Sequence, residues 1–427
     1  MFRRTGLGSL LALLLASAAP AAPYPPMPEA EAERIYLERF RAMLANPSGE
    51  AARYDPVEAV VGAARPRALP LARPEARGLS SAAIAEARRV AEAARSSAFL
   101  VWRRGALVEE AYFGGVGRDT PLVSRSLAKP LTAIAIGRAI ALGAIRSLDQ
   151  PVADFIPEWR GTPKADMRIR HLLDMRSGLL AQGFAPEPGD PWSRAYLHPV
   201  HERIIVEEYP LTDPPGTVYE YSNVTSELVA LVIERATGRR YAEFIGQDVL
   251  APIGAAGGEV WVNRPGGLAH SGCCIMLPAR TWLKLALLLK DDGVAFGRRL
   301  LPRGYVAEMR KGTPQNPHYG LGLWIAGPYV ARRGFANPAR PGPKVLHSEP
   351  YLAADTFLFD GNANQVVYVV PSADLVVLRT GAPPPREPEW DNALFLNRIL
   401  RGLRPGEARL SPQPAGPPGV PAAHTAR

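Results

Sequence analysis

A single Ser-x-x-Lys occurs in this chain, Ser126-Leu127-Ala128-Lys129, and lysine itself occurs only six times in 427 residues. Residues three apart on a helix share a face, so the Lys129 amine can approach the Ser126 hydroxyl. A helix N-terminus favours negative charge developing beside it. A lysine buried there loses part of its preference for the ammonium form and can accept a proton from serine, which makes Ser126 a candidate nucleophile and Lys129 its base. A second constellation lies at Tyr221-Ser222-Asn223, after Pro214-Pro215-Gly216 and just before a helical stretch at 226–237. The Tyr221 phenol is the right type of group to relay a proton between serine, lysine and a leaving group, and the Asn223 amide can hold both the lysine and a bound molecule.

Other chemistries find less support. His198 and His201 stand three apart without a further ligand at metal-binding spacing, and there is no His-Glu-x-x-His, so neither a metal nor a cofactor is expected. No Gly-x-Ser-x-Gly elbow and no phosphate-binding loop are present. The only cysteines, Cys273 and Cys274, are adjacent and cannot staple distant segments; they are expected as buried small hydrophobes.

The elements that must position these residues can be read from periodicity. Residues 130–143 are apolar almost all round, which marks a buried helix, and Pro130 sits where a first-turn proline is tolerated. Residues 98–102 and 107–112 read as a hairpin about Arg103-Arg104-Gly105, and 365–370 and 374–379 as two strands about Pro371-Ser372-Ala373. Helices are expected at 82–94 and 280–289, and 226–237 ends at Gly238. Strands at both ends with helices between them imply one sheet assembled from distant parts of the chain.

With these segments in order, residues 95 to 400 resemble the serine β-lactamase-like family. That family includes class C β-lactamases, family VIII carboxylesterases, D-aminopeptidase and D-alanyl-D-alanine peptidase relatives and, above all, 6-aminohexanoate-dimer hydrolases. The resemblance rests on Ser126–Lys129, Leu148-Asp149-Gln150-Pro151-Val152, the run from Arg168 to Leu179, the run from Pro214 to Asn223, Tyr319-Gly320-Leu321-Gly322-Leu323-Trp324 and the strands at 365–379. It implies a mixed α/β (α+β) fold, with an antiparallel sheet flanked by helices and a mostly helical lobe at about 146–265. It also implies a serine hydrolase acting on a small amide or ester through an acyl-enzyme, or else a non-catalytic binding or sensor module on the same fold.

The family's third element, a cationic residue before Thr-Gly or x-Gly on the strand facing the nucleophile, is missing. Arg379-Thr380-Gly381 imitates it but ends the last strand, and Lys311-Gly312-Thr313 has the wrong order. The matching position falls within 357–365, which holds no Lys or His. Gly361 and Asn362 are therefore expected at the substrate, with Tyr319 and Trp324 as an apolar wall. Without that cation, substrates bearing a carboxylate are expected to be handled poorly.

Composition sets the frame: 47% hydrophobic and 21% charged residues describe a globular chain. The formal charge of +9 comes almost entirely from scattered arginines without a basic run, which argues against a nucleic-acid partner. Arg3-Arg4, an apolar stretch to Ala18 and Ala-x-Ala sites ending at Ala18 and Ala21 predict a signal peptide over 1–22, and a periplasmic or secreted product without an integral membrane segment. Residues 23–75 are expected to form an N-terminal extension, 76–404 the hydrolase domain and 405–427 a disordered Pro-rich tail.

Overall fold

The computed structural model describes residues 24–46 and 54–416, so the expected signal peptide lies outside the described residues. The longer helices are α1 (Glu29–Ala45), α2 (Ser81–Ala93), α3 (Ala128–Ala141), α4 (Asn223–Thr237), α5 (Ala279–Lys290) and α6 (Asn392–Arg401). The main sheet comprises β1 (Ser96–Arg103), β2 (Ala106–Tyr112), β3 (Trp324–Ile325), β4 (Phe357–Gly361), β5 (Gln365–Val370) and β6 (Leu375–Gly381). Its six strands run in the order β2-β1-β6-β5-β4-β3, and every neighbouring pair is antiparallel.

Successive side chains of a strand point to opposite faces, and here both faces are covered. Phe99, Val101, Val366, Tyr368, Val370, Leu375 and Val377 pack with α2 and α6. Their neighbours Leu100, Val367, Val369, Val376 and Leu378 join the core that holds α3, α4 and α5. That double burial explains why β5 and β6 read as unbroken apolar runs. All residues of α3 from Ala128 to Gly137 are buried, as its lack of a polar face requires. Ser222 caps α4 by accepting from the Thr225 N–H at 3.4 Å, and Gly238 closes it with φ of 70°.

A smaller four-stranded sheet aligns Val57–Val60, Gly258–Trp261, Ile275–Leu277 and Leu122–Val123. The N-terminal extension thus supplies a strand of the domain. It also docks α1 onto the helical lobe through Tyr36, Phe40 and Met43, with the Tyr36 hydroxyl donating to the Pro188 carbonyl at 2.7 Å.

The tail departs from expectation. Residues 405–416 lie against the domain: Ala354 N–H donates to Ser411 O at 2.7 Å, Gln413 N–H to Tyr351 O at 2.9 Å and Tyr329 N–H to Pro414 O at 2.9 Å. Glu407 faces the buried Arg103 at 3.5 Å. Main-chain hydrogen bonds, the Gln413 side chain and ion pairs of Glu407 with Arg103 and Arg104 hold this segment, and none of these leaves a signature in apolar content. Residues 417–427 lie outside the described residues.

Candidate active site

The edge strand Leu122–Val123 of the small sheet delivers the chain to a 3-10 turn, Arg125–Leu127, that runs directly into α3. Ser124 pins this approach, its N–H donating to Ile275 O at 3.0 Å and its hydroxyl accepting from Ile275 N–H at 3.2 Å. Arg125 turns the chain with φ of 51°, a left-handed conformation that costs a non-glycine residue roughly 1–2 kcal/mol. Strain of this kind persists where the surroundings over-determine it. Here it sets Ser126 at the start of the buried helix, on the wall of a cleft of about 420 Å³.

Lys129 follows one turn later and is 1% exposed. Its Nζ donates to Ser126 Oγ at 3.1 Å, Asn223 Oδ1 at 2.7 Å and the Gly272 carbonyl at 3.0 Å, which accounts for all three ammonium donors. Burial pushes the amine down to about 7, opposed by the Glu227 carboxyl. The same burial pushes Glu227 up to about 8, with Lys129 opposing. Each acquires a neutral form near pH 7.

Tyr221 lies over Lys129, with Nζ 4.7 Å from the ring centroid. Its hydroxyl is directed at Ser126 yet closes no hydrogen bond of good geometry. Burial pushes this phenol far up, so it stays protonated and the basic group beside Ser126 is Lys129. Asn223 opens α4, its N–H donating to Gln182 Oε1 at 2.9 Å. Two glycines permit the assembly. A Cβ on Gly272 would fall 2.6 Å from Ser226 Cβ, so only glycine lets this carbonyl reach Lys129 beside α4. A Cβ on Gly361 would meet the Ser126 nitrogen at 3.0 Å, which places the end of β4 against the nucleophile turn.

Ser126, Lys129, Tyr221, Asn223 and Gly361 are thus brought together, and Asn362 lines the same cleft. Tyr319 and Trp324 are not in the wall: each is 1% exposed, and both pack behind Tyr221 with ring centroids 5.9 Å away. The aromatic lining comes from Tyr54, Trp192, Tyr196 and Phe335 instead. The strand position matching the third motif holds no Lys or His, while Arg125 and Lys344 line the cleft from elsewhere. Lys344 arrives on the short strand Lys344–Leu346, outside any motif the sequence displays. Arg379 is structural, buried and donating to Ser96 Oγ and to the carbonyls of Ala363 and Asn364. Cys273 and Cys274 are bonded to each other and line the cleft, since adjacency prevents stapling of distant segments but not a bond between neighbours.

The profile of the Beta-lactamase family matches residues 82–394, which includes every residue of this cluster. The chain belongs to the beta-lactamase family. A 6-aminohexanoate-dimer hydrolase of Paenarthrobacter ureafaciens is 26% identical over 234 residues, covering 51% of this chain and 57% of that protein. Esterase EstB of Burkholderia gladioli is 30% identical over 189 residues, covering 39% and 45%. The chain therefore matches about half the length of these curated relatives. A solved Bacillus anthracis structure described as a 6-aminohexanoate-dimer hydrolase shares the fold, with a TM-score of 0.62 at 19% identity over 82% of this chain and 90% of that one.

Proposed function

We propose that this chain is an exported serine hydrolase that cleaves a small amide or ester through an acyl-enzyme on Ser126. The observation that carries the reading is the Lys129 amine, wholly buried, 3.1 Å from Ser126 Oγ and brought to about 7 by desolvation. In the reaction Ser126 Oγ attacks the carbonyl carbon while its proton passes to neutral Lys129. The oxyanion is received by the Ser126 N–H at the head of α3 and by backbone of the adjoining Gly361–Asn362 segment. Collapse breaks the bond to the leaving group, which departs with a proton relayed through the Tyr221 hydroxyl. Water then adds to the acyl-enzyme by the same route and frees the acid.

A cleft of about 420 Å³ with aromatic walls suits a small substrate, and Lys344 offers a partner for a substrate carboxylate. The Arg3-Arg4 and Ala-x-Ala pattern supports export to the periplasm or medium, and the Cys273–Cys274 bond suits an oxidising compartment.

Labelling of the full chain with a fluorophosphonate probe tests the reading. Covalent mass at Ser126, together with turnover of p-nitrophenyl butyrate or the 6-aminohexanoate dimer, is expected. A folded chain inert to the probe and to both substrates would favour the non-catalytic module.

A further inference from the structure

Glu227 lies one helical turn beyond Asn223 on α4, where it meets two histidines from elsewhere in the chain. His201 comes from the start of the short helix His201–Arg203, and His270 from the loop that continues into Gly272. One ligand atom from each of His201, Glu227 and His270 can be chosen so that all three lie within 4.8 Å of one another. The side chains are 0%, 1% and 0% exposed. Neither ring nitrogen of either histidine, and neither carboxylate oxygen, has a hydrogen-bond partner among the described residues. The closest approach between them, His270 Nδ1 to Glu227 Oε1 at 3.7 Å, is too long for a hydrogen bond. The backbone of Ser271 and Gly272 faces the carboxyl without closing one of good geometry.

Buried polar groups are ordinarily paired, and leaving one unpaired is costly. A whole cluster left open while its rings are firmly held calls for a ligand. His270 is stacked on Trp261 with centroids 3.7 Å apart and planes 10° apart, and His201 stands edge-on to it at 4.3 Å. Two imidazoles and one carboxylate are a donor set for a borderline transition-metal dication, whereas calcium and magnesium favour oxygen-rich shells.

We propose that His201, Glu227 and His270 form a binding site for one divalent transition-metal ion, with zinc as the preferred ion. Tetrahedral zinc with bonds of about 2.0–2.2 Å sets its ligand atoms about 3.4 Å apart, so the three side chains draw together on binding. Arg39 and Arg264 stand within electrostatic range and oppose a dication. Arg264 is already paired with Glu202 at 2.7 Å, and Arg39 with the carbonyls of Leu197 and Asn263. Glu227 supplies neutralising charge by giving up its proton as it ligates the ion.

The site's place gives the ion a structural role. Its ligands come from three elements, two of which also hold Lys129: α4 through Asn223, and the 270–274 segment through Gly272. An ion bridging Glu227 and His270 locks those two holders together.

The test uses the full chain expressed in zinc-supplemented medium, dialysed against metal-free buffer and assayed for metal by mass spectrometry. About one zinc per chain is expected, falling to near zero in Glu227→Gln and in His270→Gln, with near-ultraviolet circular dichroism to verify that each variant folds. Cobalt added to chelator-treated wild type should give the visible bands of a low-coordinate N/O site and raise the melting temperature. Wild type that retains no zinc and shows neither the cobalt bands nor the shift overturns the proposal, and assigns the cluster to buried water. So does zinc retained at full stoichiometry in a folded Glu227→Gln variant. None of these readouts depends on hydrolase activity.

Discussion

Two buried polar clusters share α4 and the 270–274 segment, and they are finished to different degrees. Around Lys129 the three ammonium donors have three acceptors, from Ser126, Asn223 and Gly272. Around Glu227, His201 and His270, six polar atoms close no hydrogen bond of good geometry among the described residues. Burial is nearly complete in both, so desolvation alone does not distinguish them. What differs is satisfaction. The Lys129 amine is satisfied within the protein, while the second cluster is left open among the described residues.

The sharpest break of that comparison comes from the complete cluster. Ser126→Ala is expected to lower kcat/KM by at least about 10³-fold without unfolding the chain, and Lys129→Met to match it nearly, because residues acting as a unit are not additive. Steady-state rates with circular dichroism check this, and a Lys129→Met enzyme of wild-type rate would make the cluster merely structural. Tyr221→Phe removes only the hydroxyl. It is expected to cost roughly 10²–10⁴-fold on amides and much less on activated esters, whose leaving groups need no proton. Equal losses on both substrate types would remove Tyr221 from the relay.

A smaller effect is the pH profile. With Lys129 active as the neutral amine and brought to about 7, kcat/KM should rise about tenfold per pH unit below 7 and level off above it. The sign for stability follows from the same shift. Below about 7 the folded and unfolded chains both hold this proton and the burial cost is full, and the cost fades as pH rises toward the ordinary lysine value of 10.5. Lys129→Met should therefore stabilise the fold most below pH 7, which melting curves across pH would show. The smallest effect comes from outside both clusters. Deleting residues 405–427 removes the main-chain hydrogen bonds of Ser411, Gln413 and Pro414, the Gln413 side-chain bonds and the Glu407 partner of Arg103 and Arg104, and should lower the melting temperature by roughly 4 °C while leaving the pH midpoint in place.

The sequence displays what is local. Ser126 and Lys129 lie one turn apart on a helix whose burial is plain from composition, and Tyr221 and Asn223 precede a helix with a visible cap. The strands at 365–370 and 374–379 announce themselves by their β-branched runs. Gly272, Lys344 and His270 could not be found this way, because each acts through a partner far along the chain and sits in no periodic pattern. Tyr319 and Trp324 show the opposite error: their type suits a cleft wall, but only packing reveals that they support Tyr221 from behind. The docking of 405–416 escaped because it is made by backbone groups, which every residue possesses, and by two polar side chains, Glu407 and Gln413, that stand in no pattern.

The order of strands in the main sheet has a consequence in time. β1 is paired on one side with β2, its hairpin neighbour, and on the other with β6, so Arg103 waits for Leu375 and Phe99 for Arg379. The central ladder cannot close until most of the polypeptide has left the ribosome. Folds dominated by such remote pairings nucleate slowly, because chain closure must precede the contacts that reward it. A nascent chain of this topology leaves β1 without its inner partner until residues 375–381 have been made.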